Sequence, residues 1–157
     1  MATKNSDLYA IQIAPTLRTR NNPQRETAPL RFIEALYTML GTEAANDIIN
    51  IAVGKPGMVI DPSHSTVVSD GVATTCTLDV GDDDASGVGA AADADRYADG
   101  LDVAAAGVDR FDSIACAARL TPYAIASDCI IKATFATLAT PVAGKKLRFR
   151  IGYLLPG

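Results

Sequence analysis

Apolar and polar positions alternate with period two along much of this chain, most clearly near its C-terminus. Ile131, Ala133 and Phe135 alternate with Lys132, Thr134 and Ala136, and Leu147, Phe149, Ile151 and Tyr153 alternate with Arg148, Arg150 and Gly152. Successive side chains on a strand point to opposite faces, so each run buries one face and wets the other. Residues 139–145 between them hold Pro141 and Gly144 and have hairpin length. The pattern predicts an antiparallel hairpin over residues 129–154 whose apolar face anchors the core. Burying a large apolar side chain is worth roughly 1.5–3 kcal/mol, so Phe135, Leu147, Phe149 and Ile151 carry much of that core.

Shorter runs of the same kind precede it. Residues 8–13 read as a first strand stopped by Pro15, and residues 16–29, with Pro23, Pro29 and three arginines, read as an extended arm. Residues 30–40 are ambiguous. Phe32, Ile33, Leu36, Tyr37 and Leu40 fit a helical stripe ended by Gly41, whereas Leu30, Phe32, Leu36 and Leu40 fit a strand with Glu34 as the exception. The spacing by itself favours helix. Residues 47–53 form a strand with Ile49, Ile51 and Val53 on one face; 58–60 and 65–69 follow as short strands, broken at Asp61, Pro62 and Ser63. Ser69, Asp70 and Gly71 make a hairpin turn into a strand over 72–80, with Cys76, Leu78 and Val80 opposite Thr75, Thr77 and Asp79. Residues 81–107, rich in Ala, Gly and Asp, read as a long loop whose only core candidates are Tyr97, Leu101 and Val103. Strands resume at 111–118 and 120–126. The expected fold is therefore all-β: a two-sheet antiparallel sandwich, jelly-roll-like, of about eight strands. Residues 1–31 supply an N-terminal strand and extended arm, and 32–157 the sandwich body of a single domain.

Composition narrows the function. At 157 residues, 48% apolar and 20% charged, the chain is long enough for one real core and too apolar for disorder. A net charge of −4 argues against general nucleic-acid binding, which needs a basic surface. No apolar run approaches membrane-spanning length, and the first residues lack a signal-peptide core. Cys76, Cys116 and Cys129 are odd in number and without metal-ligand spacing, which fits free thiols made in a reducing cytoplasm. Charge is segregated. Residues 1–31 hold Lys4, Arg18, Arg20, Arg25 and Arg31 against Asp7 and Glu26, while residues 70–112 hold eleven Asp against Arg96 and Arg110. Lys145, Lys146, Arg148 and Arg150 make the last segment basic again. Such a layout is complementary within one fold or between copies of it.

Candidate chemistry is sparse. His64, the sole histidine, has no companion ligand and reads as a surface turn residue. No serine sits in a nucleophile elbow, and Gly87–Gly89 lacks the lysine of a phosphate loop. Asp79, Asp82, Asp83, Asp84, Asp93 and Asp95 offer hard oxygens for calcium but depart from the EF-hand pattern, so turn and cap roles are expected instead. No enzyme activity and no cofactor are expected.

Several segments resemble small virion proteins of tailed bacteriophages, of the capsid cement or decoration type. The resemblance is carried by residues 57–60 (Gly-Met-Val-Ile), 77–82 (Thr-Leu-Asp-Val-Gly-Asp), 93–102 (Asp-Ala-Asp-Arg-Tyr-Ala-Asp-Gly-Leu-Asp) and 147–153 (Leu-Arg-Phe-Arg-Ile-Gly-Tyr). It spans about two-thirds of the chain in layout and short phrases. It implies an all-β body with residues 30–40 as a strand, and a protein of the virion that stabilises the head by bridging major capsid subunits. Copies of the chain itself would be further partners, and neither nucleic acid nor membrane would be contacted. Its contacts would come from the arm, through Arg18, Arg20, Arg25 and Arg31, and from the acidic segment with its neighbours, through Asp82, Asp83, Asp84, Arg96 and Tyr97. A head–tail connector or tail component, and a virion-displayed carbohydrate- or receptor-binding module, are the alternatives; the absence of Trp speaks against the last.

Overall fold

The computed structural model describes residues 3–5, 30–84, 92–113 and 123–155. Among them are nine strands: β1 Thr3–Asn5, β2 Arg31–Thr38, β3 Ile48–Gly54, β4 Val59–Asp70, β5 Thr75–Asp82, β6 Asp93–Asp102, β7 Ala106–Arg110, β8 Cys129–Ala139 and β9 Lys146–Leu154. One sheet has the order β1-β3-β8-β5-β6 and the other β2-β9-β4-β7. Antiparallel ladders join β2 to β9, β3 to β8, β4 to β7 and β5 to β6. The chain from β2 to β5 thus runs against the chain from β9 back to β6, as one long hairpin rolled into two sheets. That is jelly-roll topology. The three-residue β1 adds a parallel edge to β3.

Residues 30–40 settle as strand. Ile33, Ala35 and Tyr37 are buried and Phe32 is 39% exposed, the alternation of a sheet with one wet face. The helical stripe expected from spacing gives way because β9 supplies a full antiparallel ladder from Arg31↔Tyr153 to Thr38↔Lys146. Arg31, placed in the arm by its sequence, opens this strand. The expected first strand over 8–13 and the arm over 16–29 lie outside the described residues.

The C-terminal pair needs a correction. Both β8 and β9 form with the expected faces, but they are not hairpin partners: β8 lies between β3 and β5, and β9 between β2 and β4 in the facing sheet. Residues 140–145 are therefore a cross-sheet connection, with left-handed Thr140 (φ 53°) and Gly144 (φ 80°) turning the chain. The turn at Gly71 is likewise a step between sheets rather than a hairpin, since β4 and β5 belong to different sheets. Period-two patterning fixes which face is buried, not which strand is the neighbour.

Two bulges explain further departures. On β3 the ladder slips between Asn50 and Ala52, two steps against one from Lys132 to Ile131 on β8. That extra residue throws Val53 outward, to 36% exposure, and turns Gly54 inward. The Gly54 position lies against Cys129 and Ile125, where a Cβ would come within 2.7 Å of both side chains. On β4 the two expected short strands are one, interrupted between Asp61 and Thr66. Pro62, which has no N–H to give a ladder, sits inside that bulge. Asp61 there accepts the N–H and hydroxyl of Ser63 and lies 2.8 Å from His64 Nδ1.

The stretch expected as a loop over 81–107 is largely strand. β5 extends to Asp82, and β6 and β7 account for 93–102 and 106–110. Tyr97, Leu101 and Val103, its only core candidates, are all buried. Of the strand expected over 111–118, the described part is the 3-10 turn Phe111–Ser113, with Phe111 fully buried.

Candidate functional site

On β5 the inward face reads Cys76, Leu78, Val80 and then Asp82, so the alternation that builds the core also carries a carboxylate into it. Asp82 is fully buried. It accepts the phenol hydroxyl of Tyr97 and the backbone N–H of Asp84, and its Oδ2 lies 3.4 Å from Nε of Arg96. The Arg96 guanidinium stacks 3.7 Å from the centroid of the Tyr123 ring. Tyr123 donates to Asp84, which also accepts the Ala126 N–H and the Ser127 hydroxyl. One polar network thereby ties the end of β5 to β6 and to residues 123–127.

Burial pushes the Asp82 carboxyl above the ordinary range, and the Tyr97 hydroxyl, the Asp84 N–H and the Arg96 charge offset only part of that. Burial, then the Asp82 contact, drives the Tyr97 phenol far upward, so it remains a donor. Tyr123 is pushed up to about 12 by the same two influences, with Asp84 as its acceptor. Cys76 and Cys129 are buried thiols raised to about 12, chiefly by burial, which removes thiolate character at neutral pH.

Four residues expected at a partner surface, Asp82, Asp84, Arg96 and Tyr97, are thus interior and engaged with one another. The physical reason is the strand character of 75–82 and 93–102, which turns these side chains toward the core instead of displaying them on a loop. Asp83 is exposed, and its carboxylate accepts the Ile130 N–H. Arg31 is half-buried. Arg18, Arg20 and Arg25 lie outside the described residues. Asp93 accepts the Asp95 N–H, a local turn role of the kind expected, whereas Asp79 accepts the Gly100 N–H from the neighbouring strand and Asp82 and Asp84 hold the buried network. Sequence reasoning missed Tyr123 and Ser127; no local pattern marks them, because their partners are 39 and 43 residues away.

Gly81 belongs to this corner. A Cβ there would lie 1.9 Å from the Asp93 carbonyl oxygen and 2.6 Å from the Ala94 carbonyl carbon, both backbone atoms. Gly81→Ala is expected to push β6 off β5 and to lower stability by about 1–3 kcal/mol or more. Urea denaturation checks the loss, and weakened amide-exchange protection along β6 locates it.

The two outer faces differ. On the four-stranded sheet Phe32, Val68 and Val108 are 39%, 37% and 64% exposed. Exposed Lys146, Arg148 and Arg150 run along the central strand, with the Arg150 guanidinium 3.9 Å from the Phe32 ring centroid and 3.8 Å from Glu34. Beside the other sheet, β6 carries Asp93, Asp95, Asp99 and Asp102, and the neighbouring strand β5 carries Asp79. Their crowding adds to the upward shift of several of these carboxyls. Asp95 is pushed up to about 6, first by its hydrogen bond with the Asp93 carboxyl. Asp79 is raised by burial and by Asp99, and Asp109 by burial and by Asp102.

A pH optimum follows. Carboxyls raised in the native state, Asp79, Asp82, Asp95 and Asp109, bind protons before the unfolded chain does. Their contribution is fully present below the ordinary value of 3.8 and is lost as pH rises, for Asp95 through about 6. Glu43 and Asp61 behave oppositely. Burial would raise both, but hydrogen bonds outweigh it: from Leu40, Tyr37 and Gly41 to Glu43, and from Ser63 and His64 to Asp61. Their stabilisation holds above the ordinary values of 4.5 and 3.8 and is lost on further acidification. The melting temperature should therefore rise as pH falls from neutral through about 6, and drop once pH passes below about 4. Thermal melts followed by circular dichroism test this, and Asp95→Asn should flatten the rise near pH 6.

No protein-family model matches the chain, and no curated protein sequence does. Three solved structures share its fold. A chain in the capsid of Ralstonia phage GP4 aligns over 99% of both chains with a TM-score of 0.68 and 22% identity. One in the cyanophage Pam1 capsid asymmetric unit aligns over 89% of this chain and 100% of that chain, with a TM-score of 0.57 and 20% identity. One in the acidic stable capsid structure of Helicobacter pylori bacteriophage KHP30 aligns over 83% and 92%, with a TM-score of 0.53 and 16% identity. What this chain shares with these phage capsid components, at such identities, is a jelly-roll fold.

Proposed function

We propose that this protein is a structural component of a phage virion: a cement or decoration subunit that stabilises the head by bridging major capsid subunits. The observation that supports it best is the end-to-end likeness to a chain of the Ralstonia phage GP4 capsid, 99% of each chain in one alignment. The same fold in two further phage capsids supports it as well. The protein is made in the host cytoplasm and resides in the capsid, where its task is mechanical. It adds contact area across seams of the coat against internal pressure, and no catalytic step is assigned to it. Contacts to coat carboxylates are assigned to the basic N-terminal segment, Arg18, Arg20, Arg25 and Arg31, whose guanidinium forks suit such acceptors.

The test mixes purified protein with coat shells that lack it. Co-sedimentation at a fixed stoichiometry is expected, and Arg18→Glu, Arg20→Glu and Arg25→Glu together should weaken it at least about tenfold. A protein that stays in the supernatant at all ratios would overturn the cement role.

A further inference from the structure

We propose that the outer face of the four-stranded sheet docks onto the acidic β5–β6 side of a second copy of this chain, head to tail. The first half of the contact is a sheet face that is both apolar and cationic. Phe32, Val68 and Val108 are exposed on β2, β4 and β7, and Lys146, Arg148 and Arg150 line β9 between β2 and β4. Cross-strand register sets Leu36, Arg148, Val68 and Val108 in one row. Among the described residues neither Lys146 nor Arg148 forms an ion pair, so their charge is available to a partner.

The second half lies on the same molecule, on the other sheet. Asp95, Asp99 and Asp102 on β6 are exposed, with Asp93 and Asp79 beside them, and Lys132 is the only cation on the outward side of the central strand β8. Mutual repulsion among these carboxylates is relieved by a cationic surface brought against them. The two surfaces belong to different sheets of one sandwich, so they cannot meet within one copy. Between copies they meet in equal numbers, which is why a second copy, rather than a foreign acidic protein, is assigned as the occupant.

The face is small. Four strands about 4.8 Å apart and a nine-residue β9 rising about 3.3 Å per residue give a face of about 19 Å by 30 Å. That footprint, about 570 Å², falls below the roughly 800 Å² per partner of a standard interface and suits a weak, salt-sensitive contact. A contact between two different patches is heterologous, so it closes into a ring or extends as a chain rather than stopping at a two-fold dimer.

Sedimentation velocity on the full chain, without coat shells, tests this separately from the cement reading. The wild type should self-associate in low salt and dissociate as salt screens the contact. Lys146→Glu with Arg148→Glu, and separately Asp95→Lys with Asp99→Lys, should each weaken association at least about tenfold while leaving the β-sheet circular-dichroism spectrum unchanged, since all four side chains are exposed. One chain carrying all four reversals should regain association, the coupling expected of residues that face each other. A wild type that stays monomeric, or a four-fold variant in which the two losses add, would overturn the contact. So would a Lys146→Glu, Arg148→Glu variant that associates normally yet no longer binds coat shells; that result would give this face to the coat.

Discussion

Replacing Asp82 by Ala should cost about 3–5 kcal/mol, because it takes a buried carboxylate away from a buried arginine. Arg96 is 6% exposed and Asp82 fully buried, with Arg96 Nε and Asp82 Oδ2 3.4 Å apart. Removing the carboxylate also leaves the Tyr97 hydroxyl and the Asp84 N–H without their acceptor. Urea denaturation with an unchanged m-value would report the loss as stability. Two companions separate the causes. Tyr97→Phe removes a hydroxyl that donates to a buried carboxylate and keeps the ion pair, so about 1.5–3 kcal/mol is expected. Asp82→Leu combined with Arg96→Met removes both charges and should recover much of the loss, since replacing a buried ion pair by apolar side chains is often neutral or stabilising. If the double variant were as unstable as Asp82→Ala alone, the network would be acting through shape rather than charge.

This corner also separates what the sequence could reveal from what it could not. The inward alternation of Cys76, Leu78 and Val80 was legible, and continuing it by one step places Asp82 in the core. The Ala/Gly/Asp composition hid that step, because acidic, glycine-containing stretches ordinarily mark solvated turns. β6 is hard to read for a related reason. Its ladder with β5 slips twice, between Leu78 and Val80 and between Val80 and Asp82, so Arg96, Tyr97 and Ala98 are buried in succession. A bulged strand breaks period two, and period two is the signal. Val53 fails in the same way, one residue beyond the β3 bulge.

Sheet membership is a different loss. Each strand of a jelly roll pairs with strands far away in sequence, and residues 139–145 have the length of a hairpin loop whether they join neighbours or cross between sheets. Nothing local distinguishes the two. The roll instead follows from closure: eight half-buried strands need two faces to bury, and the ladders β2·β9, β3·β8, β4·β7 and β5·β6 provide them with few free edges. The free edges that remain are managed unequally. β6 carries its aspartates, whereas β7 exposes Val108 beside a bare Gly107.

Phe149→Ala tests the part of the architecture that the alternation did reveal. Phe149 is fully buried on β9, opposite Ala35 on β2 and Val67 on β4, both also buried. A strand paired on both sides cannot shift to fill the space left behind without breaking two ladders. The loss should therefore be near the full range for a buried aromatic, about 3–5 kcal/mol. Phe32→Ala is the control. It removes the same side chain from the adjacent strand, but from the opposite face, where Phe32 is 39% exposed and lies under the Arg150 guanidinium. Truncation there gives up partial burial and one cation–π contact, about 1 kcal/mol. A several-fold difference in the two denaturation free energies would confirm that β9 separates the core from the outer face. A Phe32→Ala loss well above about 1 kcal/mol at high protein concentration would mean that the outer face is covered in solution by a second copy. In that case the Phe32→Ala loss should shrink as the protein is diluted, because stability drawn from association falls with concentration, whereas the Phe149→Ala loss should not.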